Sequence, residues 1–197
     1  VQRTFPERAR QIPNGDAQEN ALLQLASAPH GQRVRLALAS ALPHLTPTMR
    51  TLVAQHLLRY DQDATDHNLP LLVWTGIREL PLAELANCAH VCRIPQVTKL
   101  IARRLAEASD KQPGPLNELL AEAAEMPDGQ AEIVAGLAEG LKGWRKAPKP
   151  ADWDKFVASL SPTETAALGT VRKLNVLFGD GVALEEIRRI ALDDQAL

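Results

Sequence analysis

Apolar residues recur every three to four positions along most of the chain, and proline, glycine or a short polar stretch interrupts each run. That spacing predicts a series of amphipathic helices. The first covers 17–28 after Asp16, a good N-cap, and stops at Pro29 and Gly31; the second covers 32–42, with Val34, Leu38 and Leu42 on one stripe. Thr46-Pro47 then joins a capping residue to a proline at the first helical position, where its missing N–H costs nothing. The helix it opens sets Met49, Leu52, Val53, His56, Leu57 and Tyr60 on one expected core face. The polar stretch 61–67 reads as a loop, and a helix over 68–79 follows with Pro70 in its first turn.

Pro81, Pro95 and Pro115 open three more helices, and a fourth is expected over 128–145. A Lys/Pro connection over 146–150 leads to a short helix, 152–160. Ser161-Pro162-Thr163-Glu164 reads as a capping box, with Glu164 reaching back to the Ser161 N–H. Its helix carries Ala167, Leu168, Val171, Leu174 and Phe178, and a last helix is expected over 183–192. Pairing the helices gives start points near 16, 47, 81, 115, 151 and 181, so the unit recurs at about 30–36 residues. This period predicts an all-α, HEAT-like α-solenoid: a right-handed superhelical array of about five to six antiparallel helix pairs. A compact bundle of unequal helices is the alternative. Residues 1–15, with Pro6, Pro13 and Asn14-Gly15, read as a lead-in, and 16–197 as the repeat domain. Leu184, Ile187 and Ile190 lack a visible partner helix, which suggests a fragment of a longer multidomain protein.

Composition agrees with the pattern. The chain is rich in Leu and Ala, and aromatic residues make up only 4% of it, a balance that favours helix over strand. A net charge of -2 argues against a general nucleic-acid binder. No apolar run approaches the ~20 residues that span a bilayer, so no membrane insertion by this segment is expected. Charges in Val1–Arg10 stand where a signal peptide would have its apolar stretch.

The candidate chemistry is sparse. Cys88 and Cys92 flank His90 in a Cys-x-x-x-Cys spacing, whereas haem attachment requires Cys-x-x-Cys-His. Two small buried residues in a tight helix contact are expected there instead. The five histidines, His30, His44, His56, His67 and His90, show no ligand spacing. Neither a Gly-x-Ser-x-Gly elbow nor a Gly-x-x-x-x-Gly-Lys-Ser/Thr loop occurs. No catalytic, cofactor-binding or metal-binding residue is therefore assigned.

The densest basic stretch holds Lys142, Trp144, Arg145 and Lys146, with Trp153 close behind. It reads as a contact surface for an acidic partner, or as cations complementing a helix C-terminus with the two tryptophans packing the ends of a stiff linker. In Arg103-Arg104 and Arg188-Arg189, one arginine of each pair is expected to face solvent and the other an inter-helix groove.

Residues 66–77 are more specific. Asp66-His67-Asn68-Leu69-Pro70-Leu71-Leu72-Val73-Trp74-Thr75-Gly76 resembles the D-x-N-L-P-L-hydrophobic-hydrophobic-W-x-G signature of very large planctomycete-type bacterial proteins. Those join a membrane-bound dehydrogenase-like β-propeller, a HEAT-like helical segment and a C-terminal c-type cytochrome domain. Ile94-Pro95 with 101–107, Ile133–Leu137 with 139–144, and Phe178-Gly179-Asp180 are similar to further stretches of the same helical segment. The resemblance spans roughly residues 30–190. It implies a scaffold between propeller and haem domain, in a periplasmic or exported protein, and brings no catalytic residue. Physically, Asp66 or Asn68 can cap, Leu71, Leu72 and Val73 suggest a helix buried nearly all round, and Gly76 permits close approach.

The expected function is a non-catalytic scaffold or protein-interaction module without a cofactor. Its partners would be neighbouring domains of the same chain or a docking protein. The candidate surface comprises Asp66, His67, Asn68, Lys142, Trp144, Arg145, Lys146 and Trp153. The alternative is a helical-repeat nucleic-acid-binding protein or DNA-processing enzyme. That would require a concave basic face gathering Lys142, Arg145, Lys146 and Arg103 around an aromatic pocket with a carboxylate.

Overall fold

A computed structural model describes residues 15–27, 31–126 and 128–179. Among these the protein is all-α, with ten helices, two short 3-10 segments and no strand. The helices are α1 (Gly15–Ser27), α2 (Gln32–Ala41), α3 (Pro47–Leu57), α4 (Leu69–Ile77) and α5 (Leu82–His90). They continue as α6 (Pro95–Glu107), α7 (Gly114–Ala123), α8 (Gln130–Gly140), α9 (Trp153–Ser159) and α10 (Thr165–Leu177). The 3-10 segments are Leu42–His44 and Asp61–Thr65. Prolines start helices as expected at Pro47, Pro70, Pro95 and Pro115, all within the first two helical positions. Pro81 sits one step earlier, as the N-cap of α5.

Each helix packs on the second helix before it and the second after it. One row is α1, α3, α5, α7 and α9, and the other is α2, α4, α6, α8 and α10. The stacking offset is nearly constant. Gln32 donates to Asp66, and the Ala151 N–H donates to Asn117, each across 34 residues. Gly76 faces Leu42, Gly136 faces Ala102 and Gly140 faces Ala106, again 34 positions apart.

The α6–α8 contact is the closest. A Cβ on Gly136 would fall 2.8 Å from Ala102 Cβ and nearer still to the Lys99 carbonyl oxygen. One on Gly140 would fall 2.5 Å from the Arg103 carbonyl oxygen. Hydrogen at these two positions, opposite Ala102 and Ala106, lets the two backbones touch, and their matched order makes α6 and α8 parallel.

The core runs continuously from Ala26 to Phe178, between and within the rows. Leu42, Val53, Leu57, Leu69, Ile77, Ile101, Leu120 and Val134 are wholly inaccessible; side chains of this kind contribute about 1.5–3 kcal/mol each when fully buried.

Several expectations shift. The stretch expected as a loop, 61–67, contains a 3-10 turn, Asp61–Thr65, that buries Asp63. Leu52 is 39% exposed, off the core face that Met49, Val53 and Leu57 share. The α4 helix is not buried all round either, because Leu71 is 47% exposed while Leu69, Val73 and Ile77 face the core. The helix expected over 128–145 ends at Gly140, and Gly143 turns the chain at φ 90°. No capping box forms at Ser161, since α10 starts at Thr165 with Glu164 as N-cap. The Ser161 hydroxyl instead accepts from the Thr163 N–H and pairs with the Thr163 hydroxyl, a local turn competing with the helix. The lead-in through residue 14, His30, Arg188-Arg189 and the helix expected over 183–192 lie outside the described residues.

Candidate functional site

The Asp66–Asn68 turn leads from the second 3-10 segment into α4. Asp66 Oδ1 accepts the N–H groups of Asn68 at 2.8 Å and Leu69 at 2.7 Å, and its Oδ2 accepts from Gln32 Nε2. The Leu69 and Asn68 N–H groups, aided by Gln32, hold the carboxyl below the usual carboxylate range. Asp66 therefore caps α4 and ties it to α2, while His67 and Asn68 remain exposed beside it. A cavity of about 510 Å³ adjoins this turn, with Arg35 and Asp63 in its wall. Arg35 grips Asp63 through two bonds of 2.5 Å and lies 4.5 Å above the Tyr60 ring. Both side chains are almost inaccessible, and the Asp63 carboxylate raises the guanidinium pKa further. This pair staples α2 to the 3-10 turn. A polar run in the sequence gave no sign that Asp63 would be buried.

The basic stretch divides. Lys142, Arg145 and Lys146 are exposed on the connection leaving α8, and Lys149 pairs with Asp154. Trp144 is half-buried against the core. Trp153 is wholly buried, so it is a core residue and not part of a contact surface. Its Nε1–H donates to Asn175 Oδ1 at 2.6 Å, and its ring meets Phe178 edge-on with centroids 5.1 Å apart. The Ala147 N–H donates to the Leu177 carbonyl, pinning the connection to α10.

Cys88 is buried in α5, and its thiol is pushed up to about 12 by burial first and by Cys92 second. Burial also raises Cys92, whose Sγ–H donates to the Ile94 carbonyl. The two cysteines are unpaired. No group of three or more His, Cys, Asp or Glu side chains is disposed to hold a metal among the described residues.

Two further clefts were not foreseen. One, of about 650 Å³, lies where α5 and α7 end, near the starts of α6 and α8. His90 Nδ1 reaches Glu122 Oε2 at 3.1 Å on its rim, with Arg59 and Arg93 among the cations and Glu125 and Asp128 among the anions. The other is a groove of about 290 Å³ between α4 and α6. Trp74 and Leu100 form its apolar part, and Arg78, Arg103 and Arg104 line it with Glu79 and Glu107. Arg78 pairs with Glu79 at 3.3 Å and Arg103 with Glu107 at 2.9 Å. Arg103 is exposed and Arg104 half-buried, but both line the groove, so the expected division into one solvent-facing and one groove-facing arginine is only partly met. Trp74 and Arg103-Arg104 were each conspicuous in the sequence. The 34-residue offset that sets Trp74 within about a turn of Arg104 is the signal that joins them.

Compared with family models, with curated proteins and with solved structures, the chain gives no match in any of the three.

Proposed function

We propose that the chain is a HEAT-like α-solenoid acting as a non-catalytic scaffold or protein-interaction module. One observation carries the reading: helices contact at a recurring 34-residue offset in two rows, so each hairpin is covered by the next. Such arrays bury a continuous core while leaving long helix edges and inter-helix grooves available to partners. The α4–α6 groove and the cleft at the α5 and α7 ends are surfaces of that kind. The resemblance at Asp66–Gly76 adds the setting, a spacer between a dehydrogenase-like propeller and a c-type cytochrome domain in an exported protein.

The test begins with the complete reading frame, which should encode a propeller on one side and Cys-x-x-Cys-His on the other. Titration calorimetry of this chain against that haem domain should then show saturable binding. A reading frame with neither domain overturns the setting. Absence of binding to any domain of the same polypeptide overturns the scaffold role.

A further inference from the structure

We infer that the α4–α6 groove is a docking site for an extended acidic peptide segment bearing a large apolar side chain; the inference deepens the interaction-module reading and rests on it. The groove has two chemically distinct parts. Trp74 and Leu100, both only partly covered by the protein, offer an apolar floor. Around it stand Arg78, Arg103 and Arg104, and an adjoining cleft of about 580 Å³ that shares Arg104 adds Lys111.

The charges do not cancel. Glu79 and Glu107 are engaged by Arg78 and Arg103, whereas Arg104 and Lys111 have no ion pair among the described residues. Tryptophan and arginine are both enriched among the residues that anchor protein interfaces. A guanidinium with free donors takes a carboxylate through two parallel bonds.

A peptide fits this surface better than a nucleic acid. Two glutamates on the rim would lie against a continuous phosphate backbone, and the chain as a whole carries a charge of -2. Single carboxylates spaced along a peptide can meet Arg104 and Lys111 while an apolar side chain covers Trp74.

The experiment selects random 12-residue peptides displayed on phage against the folded chain. Winners are then measured by fluorescence anisotropy, beside a duplex and a single-stranded DNA. Selected peptides should combine Asp or Glu with one large apolar residue. Their binding should weaken at least about tenfold for Arg104→Ala and for Trp74→Ala, and it should fall as salt rises. Lys173→Glu, an exposed charge change on α10, should leave it unaltered. Far-UV circular dichroism melts establish that each variant is folded, and Arg104→Lys, which keeps the charge but not the fork, should recover part of the affinity. The inference is overturned if selection yields no enriched acidic class, or if the winners bind folded Arg104→Ala as tightly as the native chain. DNA binding that Arg104→Ala abolishes would assign the groove to nucleic acid instead. Binding of a same-chain domain that survives Arg104→Ala and Trp74→Ala would sink the groove while leaving the scaffold role intact.

Discussion

Adding one methyl group at position 136 measures the α6–α8 contact directly. In Gly136→Ala the new Cβ would stand 2.8 Å from Ala102 Cβ, about 1 Å short of the 3.5–4.0 Å at which carbon atoms attract best. Its other near neighbours are the Lys99 carbonyl oxygen and the Arg103 nitrogen, and backbone cannot rotate aside. The helices must separate, and a gap of 0.5–1 Å forfeits about a quarter to a half of each dispersion contact along the seam. Overpacking typically costs 1–3 kcal/mol, and a clash with backbone belongs at the upper end. Alanine returns about 1 kcal/mol through its better helix propensity. The expected net loss is about 2 kcal/mol, or a fall in Tm of about 4–8 °C for a domain of this size. Gly169→Ala is the matched control. Gly169 lies inside α10 with nothing among the described residues within 4 Å of an added Cβ, so there the propensity gain stands alone and Tm should rise by about 2–4 °C. Thermal melts followed by far-UV circular dichroism distinguish the two. If Gly136→Ala melts with or above the native chain, the close parallel seam between α6 and α8 does not exist.

Asp63→Ala should destabilise by about 3–5 kcal/mol in urea, because it removes the two-bond carboxylate partner of the buried Arg35, whereas Arg35→Met with Asp63→Leu should recover most of that loss. A double variant as unstable as Asp63→Ala would show that lost packing, not the lost charge pairing, is responsible. Asp66 has a folded pKa held below its ordinary value, so its contribution is complete above the ordinary carboxylate range and disappears as pH falls through the folded pKa. The Tm difference between native and Asp66→Ala should accordingly be positive at neutral pH and close on acidification; a pH-independent difference contradicts the capping role. Cys88, pushed up to about 12, and Cys92, raised by burial, should both resist a thiol-specific dye in the native state at neutral pH and react once urea unfolds the chain. Rapid labelling of the folded protein would contradict the full burial of Cys88 and the partial burial of Cys92.

The single-strand pattern carried the helices well. A 3.6-residue period and a proline in the first turn act within one helix, so α3, α4, α6 and α7 could be placed before any packing was known. The expectation failed where a residue's environment depends on a second element. Leu71 and Leu52 looked like core, yet no described helix covers them enough to bury them. Trp153 was open to two readings, contact surface or packing at the end of the linker, and Phe156, Phe178 and Asn175 decide for packing by enclosing it. Ser161 looked like a cap, yet its hydroxyl closed a turn of its own.

By itself, the order of residues determined an all-helical fold for the described residues, and it suggested a unit recurring at about 30–36 residues and a close approach at Gly76. These follow from local sterics and from counting along one strand of chain. The tertiary structure alone decided that Asp63 would be buried by Arg35, that Gly136 and Gly140 would lie on α6, and that Trp74 would share a groove with Arg104. The physical reason is that periodicity specifies which stripe of a helix is apolar, whereas the neighbour that covers the stripe, and the polar groups trapped at its edge, are set only when the rows stack.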